Sequence, residues 1–125
     1  MTRVADLAGA ELALWVARAQ KLNVRKQGMS SWVWIGGYPS GVAHYISGDF
    51  TPRYAPHEDW AQGGPLIEKH HITIDWNTCN DDDPSYDPEP WMSVISGGVI
   101  YYGPTPLIAA MRALVASVYG EEVGS

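Results

Sequence analysis

The fold is decided near the C-terminus by the stretch Gly103-Pro104-Thr105-Pro106-Leu107-Ile108-Ala109-Ala110-Met111-Arg112-Ala113-Leu114-Val115-Ala116-Ser117-Val118-Tyr119-Gly120. Thr105 is a good N-cap residue, Pro106 suits the first helical position, and Gly120 suits the C-terminal stop. The apolar residues recur at helical spacing and form one stripe: Leu107, Ala110, Met111, Leu114, Val115 and Val118. The stretch therefore predicts a capped helix with one face buried in a core.

A second helix is predicted near the N-terminus, over residues 9–22. Its apolar residues also follow helical spacing, and they are Leu12, Trp15, Val16, Ala19 and Leu22. Leu14 interrupts the polar side of this helix and indicates a second contact there. The basic residues between Lys21 and Lys26 are expected at the C-terminal end of the helix, where positive charge complements the helix dipole.

The middle of the chain alternates between strand and turn patterns. Strands are predicted at residues 31–35 and 42–46 as a hairpin, and at 72–76. Two more, at 91–96 and 99–102, form a hairpin at Gly97-Gly98 or a single bulged strand. A short helix is predicted to begin at Pro65 and to end at His70 or His71. This order predicts an α+β fold, with an antiparallel sheet of four to five strands and the two terminal helices packed on one face.

Composition limits the class of protein. The 125 residues fit a single domain, 1–125, with a solvated acidic loop at about 80–90. A net charge of -6, from 8 basic and 14 acidic residues, disfavours nucleic acid as a partner. Cys79 is the only cysteine, so no internal disulfide can form. No signal peptide or membrane-spanning run is evident, so we expect a cytoplasmic protein without a membrane partner.

Two segments carry a family resemblance. They are Trp60-Ala61-Gln62-Gly63-Gly64-Pro65-Leu66-Ile67-Glu68 and Gly103-Pro104-Thr105-Pro106-Leu107-Ile108-Ala109-Ala110-Met111-Arg112. With the early helix at 12–17, they resemble the signatures of the phage NinX-like family of small phage and prophage proteins. The resemblance covers most of the chain and leaves the middle variable. It implies a phage or prophage accessory role, and it implies no established activity, cofactor or catalytic residue.

The first candidate site lies where the short helix is predicted to start. Two glycines before a helix start leave backbone N–H groups open to a ligand, and a helix N-terminus favours anions. The start of the last helix offers a second site of the same kind. The candidate ligand-binding residues are Trp60, Gln62, Gly63, Gly64, Pro65 and Thr105. The alternative is that the glycines and prolines only shape the two turns.

Catalytic and metal chemistry find weaker support in the sequence. His70 and His71 are adjacent, so on a helix or strand they point apart, and no Cys pair or His-Glu-x-x-His pattern is present. Cys79 has acidic neighbours, which disfavour a thiolate. We therefore expect no metal, no cofactor and no catalytic residue. The rival hypothesis is a small hydrolase that uses His70 or His71 with Asp75.

The sequence favours a non-enzymatic accessory protein that binds a partner protein or a small ligand near Trp60 and Pro65. A third hypothesis is an acidic inhibitor of a basic or DNA-binding host protein, acting through the aromatic-flanked acidic loop. A homodimer becomes plausible if Leu14 and the small-residue face of the last helix stay exposed.

Overall fold

The computed structural model describes residues 1–35, 41–47, 51–76, 89–95 and 98–124. These residues form an α+β fold, which confirms the predicted class. The elements in chain order are β1 (Thr2–Arg3), the 3-10 helix Val4–Asp6, α1 (Gly9–Ala19), β2 (Val24–Gln27), β3 (Ser30–Ile35), β4 (Val42–Ser47), α2 (Trp60–His70), β5 (Ile72–Trp76), β6 (Trp91–Ile95), β7 (Tyr101–Gly103), α3 (Pro106–Tyr119) and β8 (Glu122–Val123). Among these elements, no helix has the length and apolar character needed to cross a membrane.

The described strands form three small antiparallel sheets. Their strand orders are β1-β8, β2-β3-β4 and β5-β6-β7. The expected single sheet of four to five strands, with both terminal helices on one face, is not confirmed. α3 packs on the sheet β5-β6-β7, whereas α1 contacts α3 on one side and β2 and β4 on the other. The sheet β2-β3-β4 therefore packs against α1, and the sheet β5-β6-β7 packs against α3. The contact between α1 and α3 connects these two parts of the protein.

α1 joins the halves because it is apolar on two sides. Leu12 and Val16 are fully buried in the core that contains α3. Ala13 and Ala17, one position further along, are buried in a second core formed with Val33, Ile46 and Tyr54. Leu14 packs against this second core, as its position on the polar side indicated. The small alanines let the sheet β2-β3-β4 approach the helix closely.

α3 begins and ends as its sequence predicts. The Thr105 hydroxyl accepts a hydrogen bond from the Ile108 N–H at 3.1 Å, and Pro106 is the first helical residue. Gly120 ends the helix at φ 86°, a conformation that favours glycine. The apolar stripe is shorter than expected, because Val118 is 48% exposed. The last turn, from Ser117 to Tyr119, lies at the surface.

α2 begins at Trp60, and the prediction that it starts at Pro65 is wrong. Asp59 is the N-cap, and its side chain accepts from the Ala61 N–H at 2.9 Å. Pro65 lies inside the helix, where it removes the donor that would reach the Ala61 carbonyl. Ala61 is exposed, so water can replace that donor. His71 ends the helix in the left-handed conformation, at φ 53°.

The basic residues after α1 are divided between the end of that helix and the strand β2. α1 ends at Ala19, and the chain turns through Lys21, at φ 61°, into β2. Arg25 and Lys26 are exposed on β2, an outer strand of its sheet. Charged side chains on such a strand oppose edge-to-edge aggregation. The prediction that these charges complement the α1 dipole is therefore wrong for Arg25 and Lys26, whereas Lys21 directly follows the C-cap Gln20.

The remaining strand predictions hold closely. The hairpin β3-β4 and the strand β5 occur where the sequence placed them. β6 and β7 pair as two antiparallel strands, so the single bulged strand is excluded. Val99 and Ile100 are not part of β7 and are exposed. Most of the predicted acidic loop falls within residues 77–88, outside the described part of the chain.

Candidate functional site

The turn that was expected before Pro65 is part of the helix α2, so its backbone N–H groups form hydrogen bonds within the helix. The N–H groups of Gln62 and Gly63 donate to the Asp59 carbonyl at 3.0 and 2.8 Å. Gly64 and Pro65 lie further along the same helix. The expectation of open N–H groups that bind an anion at this turn is therefore wrong for Gln62 and Gly63.

The two predicted helix starts do meet, but through close packing. A Cβ atom on Gly63 would lie 2.7 Å from Leu107 Cδ2 and 2.3 Å from the Pro56 carbonyl oxygen. Gly63 is buried, so at this point α2 lies against the first turn of α3 without room for a ligand. Thr105 is exposed and is engaged in capping α3. Trp60 is 55% exposed at the first position of α2.

A cleft does open on another side of α2. It has a volume of about 360 Å³ and lies between the end of α1, the hairpin β3-β4, the segment 51–59 and α2. We call it the α1–α2 cleft, and its lining residues are Gln20, Leu22, Ile35, His44, Tyr54, Ala61, Gln62, Pro65 and Leu66. Of the six predicted site residues, it includes Gln62 and Pro65. Trp60, Gly63, Gly64 and Thr105 are not among its lining residues.

Gln62 holds one wall of the cleft in place. Its side-chain oxygen accepts from the Ala55 N–H at 2.9 Å, and its Nε2 donates to the Arg53 carbonyl at 2.7 Å. Nε2 also lies 3.2 Å from Asp59 Oδ2. These bonds tie the segment 51–59 to α2 and so fix Tyr54 between them. Gln62 therefore positions the cleft and has little hydrogen-bonding capacity left for a ligand.

Tyr54 and Gln20 form the polar centre of the cleft. Gln20 Nε2 donates to the Tyr54 hydroxyl and, at 3.3 Å, to the Val16 carbonyl. The Tyr54 side chain is buried, and burial raises its pKa well above the usual range, although the bond from Gln20 opposes that shift. The hydroxyl is consequently neutral at all ordinary pH values and keeps its own O–H as a donor.

His44 is the one histidine among the described residues that line the cleft. Its Nδ1 lies 3.1 Å from the Val42 carbonyl, and a carbonyl only accepts, so Nδ1 carries the proton in this bond. In the neutral ring Nε2 is then an acceptor. The described part of the lining contains no Asp, Glu, Lys or Arg side chain. The cleft is thus largely apolar, with a small number of neutral hydrogen-bonding groups.

Sequence reasoning missed most of the cleft, although one signal was available. Gln20 follows Leu12 and Val16 at intervals of four, so it continues the buried stripe of α1 with a polar side chain. A polar residue in an apolar stripe needs a buried partner, which here is Tyr54. Tyr54, Ile35 and His44 come from distant segments, and nothing in their local sequence brings them together.

The histidines of the hydrolase hypothesis do not share a cleft with Asp75. Asp75 lines a small hollow with Thr73, Met92, Ser93, Val94 and Ile100. His71 is exposed at the end of α2, and His70 precedes it in the helix. In the ranges for which atoms are described, no three His, Cys, Asp or Glu side chains are grouped to hold a metal ion. The geometry gives no support to a His–Asp catalytic pair.

A second groove, of about 460 Å³, is acidic. Four carboxylates line it, from Asp6, Glu89, Glu121 and Glu122. Asp6 pairs with Arg3 at 3.1 Å, and Glu89 pairs with the buried Arg112 at 3.0 Å. Because two of the four charges are neutralised within the chain, the groove presents less negative potential than its composition suggests.

Of the two features considered for a homodimer, the small-residue face of α3 is buried and Leu14 is half-buried. Ala109, Ala110 and Ala113 are at most 4% exposed within the core, and Leu14 packs on the second core. The small-residue face of α3 is therefore not accessible for association, whereas Leu14 is partly accessible.

Comparison with known proteins identifies the family. No curated protein matches the chain. A family profile described as Bacteriophage P22, NinX matches residues 3–118, which span both helix starts and every strand except the first residue of β1 and the whole of β8. The match includes all residues of the α1–α2 cleft. The chain therefore belongs to the bacteriophage P22 NinX family.

Proposed function

We propose that this phage accessory protein is not an enzyme and acts by binding a small ligand in the α1–α2 cleft. The observation that carries the proposal is the lining of the cleft. Apolar side chains from Leu22 after α1, from β3 and from α2 surround one neutral hydrogen-bonded pair, Gln20 and Tyr54. Small-molecule sites are typically apolar hollows of roughly 300 to 1,000 Å³ with a few placed polar groups. The volume of about 360 Å³ lies within that range.

The cleft includes part of the segment 60–65, which the sequence predicts to bind a ligand. Ala61, Gln62 and Pro65 contribute its α2 wall. Ligand contact here would occur through side chains, since the helix occupies its own backbone donors. The anion preference of a helix N-terminus therefore does not carry over to this site.

A substitution that fills the cleft tests the proposal. Ala61→Trp places a large side chain in the lining, whereas Ala10→Trp is the matched control. Ala61 and Ala10 are both exposed second residues of their helices, α2 and α1. A library of small fragments is titrated into the ¹⁵N-labelled protein, and the amide shifts of the cleft residues are followed.

We expect fragments that shift the amides of Gln20, Leu22 and Tyr54 in the wild type. Ala61→Trp should weaken their binding at least tenfold, and Ala10→Trp should leave it unchanged. Absence of any fragment binding at these amides, or equal binding to the Ala61→Trp protein, would show that the cleft is only a packing defect.

A further inference from the structure

We infer that the α1–α2 cleft selects a neutral, mainly apolar molecule that carries a cis-amide edge, an N–H beside a C=O as in a lactam. This inference rests on the proposed function and names the class of ligand. It follows from two properties of the lining, which are its lack of fixed charge and the complementary groups that Tyr54 and Gln20 have left to offer.

The lack of a permanently charged side chain in the described lining disfavours ions. Among the residues that the structure describes, no Asp, Glu, Lys or Arg side chain lines the cleft, and Tyr54 is neutral. An ammonium group would lose its water without gaining a counter-charge, and a carboxylate would gain one only from a protonated His44, so either ion is costly beside the neutral ring. An apolar ligand is instead favoured, because it would bury its surface against Leu22, Ile35 and Leu66.

The hydrogen-bonded pair specifies the polar edge. Gln20 Nε2 is engaged by the Val16 carbonyl and the Tyr54 hydroxyl, so the acceptor that Gln20 has left is its side-chain oxygen. The Tyr54 oxygen accepts that bond, so its remaining contribution is a donated O–H. A donor and an acceptor therefore lie side by side. A cis-amide completes the pair, because its C=O accepts from Tyr54 and its N–H donates to Gln20.

Four small compounds of similar size separate these requirements. ε-Caprolactam has the cis-amide edge, N-methylcaprolactam lacks the N–H, cycloheptanone has only the acceptor, and cyclohexanecarboxylate carries a charge. Each is titrated into the wild-type protein and into Gln20→Met, with dissociation constants taken from the amide shifts of the cleft. Gln20→Met keeps the length of the side chain and removes the acceptor.

The wild type should bind caprolactam roughly fivefold more tightly than N-methylcaprolactam or cycloheptanone, the value of one hydrogen bond. In Gln20→Met the preference for caprolactam over N-methylcaprolactam should fall to about one. The inferred ligand class is overturned if these three compounds bind equally to the wild type, or if the carboxylate binds more tightly. Either result still leaves the cleft as a binding site. Failure of all four, beside fragments that do bind there, overturns the class in the same way. Failure of the whole fragment library overturns the proposed function itself.

Discussion

Gly63 and Gly64 are neighbours in the chain, yet they meet different surroundings. Gly63 is buried where α2 meets α3, with no space for a Cβ atom beside the Pro56 carbonyl and Leu107. Gly64 has no atom within 4 Å of its Cβ position. Both are helical, where glycine costs roughly 1 kcal/mol relative to alanine. Close packing therefore explains why glycine is needed at position 63, and it gives no reason for glycine at position 64.

The two glycines should respond to alanine in opposite directions. Gly63→Ala should lower the free energy of unfolding by about 2 kcal/mol, because the backbone oxygen of Pro56 cannot yield as a flexible side chain would. Gly64→Ala should raise it by about 0.5 to 1 kcal/mol, because the helix gains a better helix former. Urea unfolding followed by tryptophan fluorescence measures both. Similar destabilisation by both substitutions would contradict the packing argument.

At the scale of elements, capping decides where α3 begins. Thr105 is exposed, so its contribution comes from the bond to the Ile108 N–H and owes little to burial. Thr105→Ala should cost about 1 kcal/mol of stability, and Thr105→Ser should cost only a fraction of that because the hydroxyl remains. Thermal unfolding by circular dichroism compares the three proteins. If alanine and serine behave alike, the cap does not stabilise the helix.

The helices and strands differ in how well their local sequence predicts them. α3 was predictable because its cap, its first proline and its final glycine all agree with its apolar stripe. α2 was misplaced because two glycines and a proline resemble a turn, while the cap at Asp59 lies four residues before the first of them. Packing against α3 outweighs the low helix propensity of Gly63 and Gly64. β2 was missed because its charged residues gave no alternating pattern, and only pairing with β3 defines it.

At the scale of the whole molecule, the two-sided α1 determines the arrangement that the sequence left open. Periodicity showed the stripe of Leu12 and Val16, and Leu14 hinted at a second contact. The pattern could not show that Ala13 and Ala17 face a separate sheet, since alanine suits both core and surface. The α1–α2 cleft lies where that second sheet, α1 and α2 meet. Its residues span positions 20 to 66, so only the folded chain assembles them.

The buried His57 links the stability of the whole fold to pH. It is 5% exposed, its Nδ1 has no hydrogen-bond partner among the described residues, and its Nε2 lies 3.5 Å from Glu58 Oε1. Burial lowers the pKa of His57 below 6.5, with Glu58 opposing the shift and Arg53 adding to it. The unfolded chain therefore takes up a proton near pH 6.5 that the folded protein accepts only at lower pH.

Stability should consequently fall as the pH decreases from about 7.5 to 5.5, a window in which most carboxylates stay ionised. Burial also lowers the pKa of His70, which adds to the loss in the same direction. His57→Leu removes one of the two groups and should make the free energy of unfolding depend less steeply on pH, whatever its value at pH 7.5. Urea unfolding at intervals across this window measures the slope. An unchanged slope in His57→Leu would mean that His57 takes up its proton equally well in the folded and unfolded chain.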